Sequence, residues 1–408
     1  MKDKNVKEFE KNLDSLGWVF GLEAVSSLVD EMGIGDNIPV IHVAGTNGKG
    51  SVCMMLSNIF KEAGLKAGLY ISPAVFDSLE TISIDGQNIT EESYDKHMLS
   101  IREACERVVK KGLSHPTAFE VKTALAYGWF YENKCDVIVF ETGLGGLTDA
   151  TNFIKNPLCS VITEIGMDHM DILGESIEDI ARAKAGIIKE GCPVFTGVSN
   201  EQALNVIKEV AGEKHSKLTL VDFPKKEYRL TSPVPAQQKN AALAFSVAEF
   251  VLEKLNLSVA DAVIEKGISL TTFPGRFEKI CDEPTVYIDG GHNVQAVTEL
   301  KKTIELLNKS ENHPGRKWVF VFGILKDKDY ESVIDIMAPL AKTFHVITVP
   351  NSRALEADVL KNEIEKRGVK AFSYEDIGDA YKAACLEAKE EGTKVLAFGS
   401  FYYLKRII

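Results

Sequence analysis

An α/β fold built on parallel sheets is what this sequence predicts, and three observations carry the prediction. Short runs such as Val137–Phe140 and Trp318–Phe322 are apolar throughout rather than alternating, as befits strands covered by helices on both faces. Longer stretches with helical periodicity separate them along nearly the whole chain, the pattern of βαβ units. One apolar strand then runs into a glycine-rich turn that holds a lysine, followed by a helical pattern, in Val40–Ser51 (VIHVAGTNGKGS).

In chain order, the expected strands of a first set are Pro39–Val43, Ala67–Tyr70, Val137–Glu141, Ser160–Ile165, Val194–Thr196 and Leu218–Val221. A second set comprises Thr285–Asp289, Lys317–Phe322, Phe344–Val349 and Lys394–Phe398. The expected helices include Glu91–Lys111, Thr117–Asn133, Ser176–Ile188, Gln237–Leu255 and Val294–Asn308. The sharpest break is Thr271–Phe277 (TTFPGRF), where a helical region ends in Pro-Gly before a new strand. It divides the chain into a larger domain, 1–273, and a compact α/β domain, 274–408. Asp222–Pro235, with three prolines, is expected to be a loop inside the first domain.

The 408 residues carry 47 basic and 59 acidic side chains, a net charge of −12. That balance argues against a general electrostatic grip on nucleic acid or anionic lipid and leaves small anionic substrates open. No apolar run is long enough to span a membrane. The charged start, MKDKNVKEFEKNLDSL, lacks the apolar core of a signal peptide. Seven cysteines, no two closer than 24 residues, fit neither a CxxC metal or redox motif nor a disulfide framework. They are expected to be reduced and mostly buried, and a cytoplasmic, monomeric enzyme is the expectation.

The strongest chemical signal is the turn at Thr46, Asn47, Gly48, Lys49, Gly50 and Ser51. Successive backbone N–H groups there, with the start of a helix, form an anion nest, and Lys49 adds a charge able to reach nucleotide phosphates. The match to GxxxxGK[ST] is imperfect, because Gly45 lies four residues before Lys49 and Gly50 precedes Ser51. The plainer alternative is a glycine-rich strand–helix turn with a surface lysine.

GTNGKGS after a strand resembles the phosphate loop of the Mur-ligase superfamily, particularly its folylpolyglutamate synthase and dihydrofolate synthase family. Further segments resemble that family in order. LYISP places Ser72, VIVFETGLGGLTDATN places Glu141, and TEIGMDHMDILG places His169; the resemblance implies that these three are magnesium ligands. On residue type alone, Glu141 is equally a strand-end carboxylate and His169 a core histidine, since Mg²⁺ prefers oxygen. IARAKAGII aligns Lys184 with a lysine that becomes a carbamate and binds a second metal ion. TVYIDGGHN supplies Asp289 and His292, FPGRFE supplies Arg276 and QQKNAA supplies Asn240, all implied nucleotide contacts. The implied acid-substrate residues are Thr117, Phe119, Glu120, Asp149 and Ala150, although Phe119 and Glu120 also suit the first turn of a helix.

The resemblance implies a P-loop Mur-ligase-like domain with a parallel sheet and a smaller, Rossmann-like C-terminal domain, with ATP and substrates in the interdomain cleft. It implies ATP-driven addition of L-glutamate to a folate γ-carboxylate through an acyl phosphate, with or without conversion of dihydropteroate to dihydrofolate. Lys49, Lys184, His169 and Arg276 are the implied catalytic residues. Four positions depart from the family pattern: Ala74, Leu147 (for arginine), Ala183 (for glutamate) and Ala236 (for histidine). They keep two alternatives open, another Mur-type acid–amino-acid ligase and a nucleotide-binding regulatory protein without catalysis.

Overall fold

The computed structural model describes residues 3–17, 21–35, 37–222, 224 and 226–407. It divides into two compact units, Met1–Arg229 with Gln238–Thr271, and Leu230–Gln237 with Thr272–Ile408. In the proline-rich stretch Asp222–Pro235, expected inside the first domain, Leu230–Gln237 groups with the second unit, because Val234 packs on that unit's core. Phe223 and Lys225 lie outside the described residues.

The first unit is an eight-stranded sheet: β1 (Val40–Ala44), β2 (Ala67–Tyr70), β3 (Ile82–Ile84), β4 (Gln87–Asn88), β5 (Val137–Glu141), β6 (Cys159–Ile162), β7 (Val194–Thr196) and β8 (Leu218–Leu220). Its order is β4-β3-β2-β5-β1-β6-β7-β8. All pairings are parallel except β2 with β3 and β3 with β4. β1 and β5 are buried at every position, which is why their sequences do not alternate. Helices Glu91–Lys110 and Ala118–Glu132 contribute to one hydrophobic core, with Phe130, Phe140 and Tyr70 at its centre. Helices Ile177–Ala185 and Glu201–Glu213 contribute to another, with Ile162, Ile180 and Ile207.

Sheet order places function. β1 is flanked by β5 and β6, and β2 lies beyond β5. The chain leaves β1 towards one edge of the sheet and leaves β5 towards the other, so the strand order switches at β1. Ligands of open α/β sheets bind beyond the carboxyl ends of strands at such a point. The glycine-rich turn, Ser72 and His169 follow β1, β2 and β6, and Glu141 is the last residue of β5.

The second unit is a six-stranded sheet of β9 (Arg276–Asp282), β10 (Thr285–Asp289), β11 (Trp318–Phe322), β12 (Ala341–Ile347), β13 (Lys370–Tyr374) and β14 (Val395–Phe398). Its order is β13-β12-β11-β14-β10-β9, parallel except for β9 against β10. Four strands were not expected: β3, β4, β9 and β13. They lie at or beside sheet edges, and β9 and β13 mix buried with partly exposed positions, so neither shows the continuous apolar signal. β12 starts at Ala341, before the expected Phe344. Helix Ile177–Ala185 stops before the expected Ile188, at the Gly186 cap.

Candidate active site

The loop after β1 requires glycine at two positions. Gly45 has φ +154° and Gly48 φ +90°, backbone conformations that side chains resist. A Cβ on Gly48 would lie 2.6 Å from Asn240 Oδ1, so the Asn240 amide rests against the loop. Helix Lys49–Glu62 starts immediately after Gly48, which provides no side-chain cap. Its first-turn amides and the positive end of its dipole suit an anion. Thr46 and Asn47 behave differently from their neighbours: their amides donate to the Glu164 carbonyl at 2.8 and 3.2 Å. Thr163 Oγ1 donates to Asn47 O at 2.8 Å. These two residues therefore fasten the loop to the chain beyond β6, while Gly48, Lys49, Gly50 and Ser51 form the helix start.

Two amines converge on one carbonyl. Lys49 Nζ donates to Gly45 O at 3.1 Å and Thr46 O at 3.3 Å, and Lys184 Nζ donates to Gly45 O at 2.7 Å. Lys184 is buried, and burial, reinforced by the Lys49 charge, lowers its pKa from 10.5 to about 7. Glu141, at the end of β5 and 2 % exposed, brings Oε1 to 4.0 Å from Lys49 Nζ. Its Oε2 accepts the Ser72 amide at 3.1 Å. Lys49, Glu141, Ser72 and Lys184 are thus linked through direct contacts and the shared Gly45 carbonyl. His169 caps the short helix Met170–Leu173 with φ +51°. Its amide donates to Asp168 Oδ1 at 2.9 Å, and its half-buried ring lies 3.9 Å from the same oxygen.

Among the described residues, no group of three or more His, Cys, Asp or Glu side chains is arranged to hold a metal ion. The donor chemistry of Glu141 and Ser72 nevertheless fits Mg²⁺, which takes one or two carboxylates and completes its shell with phosphate oxygens and water. A buried carboxylate beside the lysine that opens helix Lys49–Glu62 is the right hard donor for it.

The expected acid-substrate residues have structural employment. Thr117 and Glu120 form a capping box on helix Ala118–Glu132. Glu120 Oε2 accepts the Thr117 amide at 2.7 Å and its hydroxyl at 2.8 Å. Burial pushes the Glu120 carboxyl up, and the Thr117 bonds oppose that shift. The Phe119 ring packs where Gly143 leaves room for it. Asp149 is buried, accepts the Leu144 amide at 2.8 Å and caps the 3₁₀ turn Ala150–Phe153, which begins at the buried Ala150.

In the second unit, Asp289 ends β10 and accepts the amides of Phe277 at 2.8 Å and Gly291 at 2.5 Å. Burial raises its pKa from 3.8 to about 6 against those bonds. His292 Nδ1 lies 2.8 Å from Gly290 O. The Arg276 guanidinium donates to Pro274 O at 3.1 Å and sits 5.5 Å from the Phe401 ring.

Sequence reasoning missed Glu164 and Lys239. The Glu164 carbonyl anchors the loop, and its carboxylate pairs with Lys239 at 2.9 Å. The only available signals were their places, one beyond a strand end and the other beside Asn240. It also did not foresee that Leu147 and Ala183 are neighbours. The Leu147 amide donates to Ala183 O at 2.8 Å, and both residues line a 360 Å³ pocket with Asp171, Ile172 and Leu173.

Comparison with known proteins identifies the family. Residues 43–257 match the Mur ligase middle domain, and residues 275–401 match the Mur ligase, glutamate ligase domain. The chain is 34% identical over 414 residues to a dihydrofolate synthase/folylpolyglutamate synthase of Bacillus subtilis, covering 95% of this chain and 94% of that one. The Escherichia coli enzyme of the same description is 32% identical, covering 98% and 93%. Among solved structures, E. coli FolC in complex with DHPP and ADP superposes with a TM-score of 0.86 at 28% identity, covering 98% of this chain and 96% of that one. Mycobacterium tuberculosis folylpolyglutamate synthase complexed with ADP and AMPPCP gives 0.88 at 26%, with the same coverage. With both domains matched and the relatives aligned over nearly the whole chain, the chain belongs to the folylpolyglutamate synthase/dihydrofolate synthase family of ATP-dependent Mur-type ligases.

Proposed function

We propose that this chain uses ATP to join L-glutamate to the γ-carboxylate of a reduced folate, and that dihydropteroate is a second acid substrate. The observation that carries the reading is the convergence of Lys49 and Lys184 on the Gly45 carbonyl, with Glu141 4.0 Å from Lys49. Two amines and a buried carboxylate at the start of a helix suit a polyphosphate and its counterion.

Lys49 and the amides of Gly48–Ser51 take the β- and γ-phosphates in this reading. Asn240, whose amide rests against the loop, is the further nucleotide contact proposed for the first unit, and Arg276, Asp289 and His292 are those proposed for the second. Phe119 offers an aromatic face to the acid, with Thr117, Glu120, Asp149 and Ala150 around it. Glu141, Ser72 and His169 would hold one magnesium ion, and His169 with modified Lys184 a second. Bound magnesium neutralises phosphate charge and polarises the phosphoryl group. Lys184 suits modification because burial and the Lys49 charge lower its pKa to about 7, which leaves far more neutral amine near pH 7 than an exposed lysine has. The neutral nitrogen adds to CO₂ and loses one proton to solvent, which leaves a carbamate.

A carboxylate oxygen of the acid attacks the γ-phosphorus. That O–P bond forms as the bridge to the β-phosphate breaks, and ADP departs. The glutamate amine then attacks the acyl carbon, the C–O bond breaks, inorganic phosphate leaves and the nitrogen sheds a proton. Both steps depend mainly on positioning and charge neutralisation, which Lys49 and the helix start supply. Five buried thiols suit the reducing cytoplasm. A second reading, ligation of a different acid, is favoured by the Leu147–Ala183 pocket where the family resemblance implies charge.

ADP release tests these readings. With Mg-ATP, L-glutamate and either tetrahydrofolate or dihydropteroate, glutamate-dependent release is expected with both acids. Release with tetrahydrofolate alone would limit the chain to polyglutamylation. Silence with both acids, and turnover with another, would overturn the folate assignment.

A further inference from the structure

The strand that delivers the phosphate loop carries a histidine in its interior that the proposed reaction does not use. His42 lies at the centre of β1 and is fully buried. Its Nε2 is 2.7 Å from Thr151 Oγ1, and Thr151 Oγ1 is 2.5 Å from Asp149 Oδ1. Nδ1 of His42 has no hydrogen-bond partner. Asp149 also accepts the amide of Thr151 at 3.0 Å and that of Leu144 at 2.8 Å.

These contacts fix the direction of the protons. Burial pushes the Asp149 carboxyl up, but both of its oxygens accept backbone N–H groups, which oppose that shift and favour the carboxylate as acceptor. The single hydroxyl proton of Thr151 therefore points to Asp149, and the lone pair left on Oγ1 accepts from His42 Nε2–H. Burial keeps the ring neutral, with its pKa lowered to about 3, so it has one N–H to give. The orphan at Nδ1 is then a lone pair, the more common kind of unsatisfied buried group. The reverse polarity would need a proton on Asp149 and would bury an N–H with nothing to receive it.

The chain of bonds closes on the candidate site. Asp149 fixes the turn after β5 through Leu144. That turn is tied to helix Ile177–Ala185 by Leu147 N to Ala183 O at 2.8 Å. Asn152 Nδ2 bridges Leu147 O and Gly186 O at 2.9 and 3.2 Å. Lys184 of the same helix reaches back to Gly45 O, three residues beyond His42.

We propose that His42 is a positioning residue for the ligase reaction, holding the phosphate loop in register with the Lys184 helix through a donor relay from His42 to Thr151 to Asp149. The kinetic part of its test rests on the reaction proposed above. The variants are His42→Leu, Thr151→Val, their combination, and the conservative Thr151→Ser. Each disruptive single change is expected to lower kcat tenfold or more while KM for ATP stays within twofold. The double variant should lose no more than the worse single, because both break one relay, and Thr151→Ser should restore kcat to within twofold of the parent. Losses that multiply in the double variant, or a Thr151→Val enzyme with parental kcat, would overturn the proposal. A merely structural role would lower Tm and leave kcat per folded molecule unchanged. Ring ¹⁵N spectra of the full chain give a readout independent of turnover and of variant folding. A protonated Nε2 and a bare Nδ1 are expected, and a protonated Nδ1 contradicts the relay. If the parent protein releases no ADP with any acid and glutamate, the proposed reaction fails, while the spectra still decide the relay.

Discussion

A lysine amine buried to 4 % exposure exists at a cost, and Lys184 shows how that cost depends on pH. Its pKa falls from 10.5 to about 7 through burial and the Lys49 charge. Between those values the unfolded chain holds a proton that the folded chain lacks, so stability rises with pH across the window. Below about pH 7 both states are protonated and the penalty is complete. Lys184→Met is therefore expected to raise Tm at pH 7 in carbonate-free buffer, to flatten the rise in Tm between pH 7 and 10, and to abolish glutamate-dependent ADP release. Thermal melts across pH, paired with the assay, check all three. A variant less stable than the parent at pH 7 would show that the Gly45 bond outweighs the charge penalty. Lys184 could be picked out in the sequence through the resemblance of IARAKAGII to the family's lysine-bearing helix. His42 could not, since one histidine in an apolar strand gives no hint of partners that lie 107 and 109 residues away (149 − 42 and 151 − 42).

Elements explain which residues served double duty in the sequence. Thr117 and Glu120 have the spacing of a helix cap, and the structure makes that cap reciprocal. Thr117→Ala is expected to destabilise the protein by ~1 kcal/mol through the lost cap, seen as a lower Tm. If capping is its whole role, KM for the acid substrate stays put, whereas a rise of tenfold assigns it to the substrate as well. The glycine turn is less forgiving. Gly48→Ala must hold a side chain at φ +90° and 2.6 Å from Asn240 Oδ1, with a left-handed penalty of about 1–2 kcal/mol. Weaker ATP binding, measured by calorimetry, is expected together with a reduced Tm. The central strands were legible because burial on both faces leaves one apolar run. β9 and β13 were not, since an edge strand keeps partly exposed positions and loses that signature.

At the scale of the whole molecule, two parallel-dominated sheets and the glycine-rich turn between β1 and helix Lys49–Glu62 were legible from the succession of strands and helices and from glycine placement alone. The grouping of Leu230–Gln237 with the second unit was not, because a proline-rich stretch does not announce which core its one valine will join. Nor does the sequence reveal that Leu147 and Ala183, 36 residues apart (183 − 147), meet in one pocket. If that pocket replaces a charged pair, Leu147→Arg with Ala183→Glu should be tolerated better than either change alone. Tm values for the three variants measure this, and an additive loss would contradict it.

The central claim is that a carboxylate of the acid substrate is activated by phosphorylation before glutamate attacks. Isotope transfer tests this most directly. Tetrahydrofolate labelled with ¹⁸O in its γ-carboxylate would be turned over with Mg-ATP and L-glutamate, and the released phosphate examined by mass spectrometry. One ¹⁸O atom per phosphate is predicted, because the oxygen that attacks the γ-phosphorus leaves with it. Unlabelled phosphate accompanying amide formation would contradict the acyl-phosphate account.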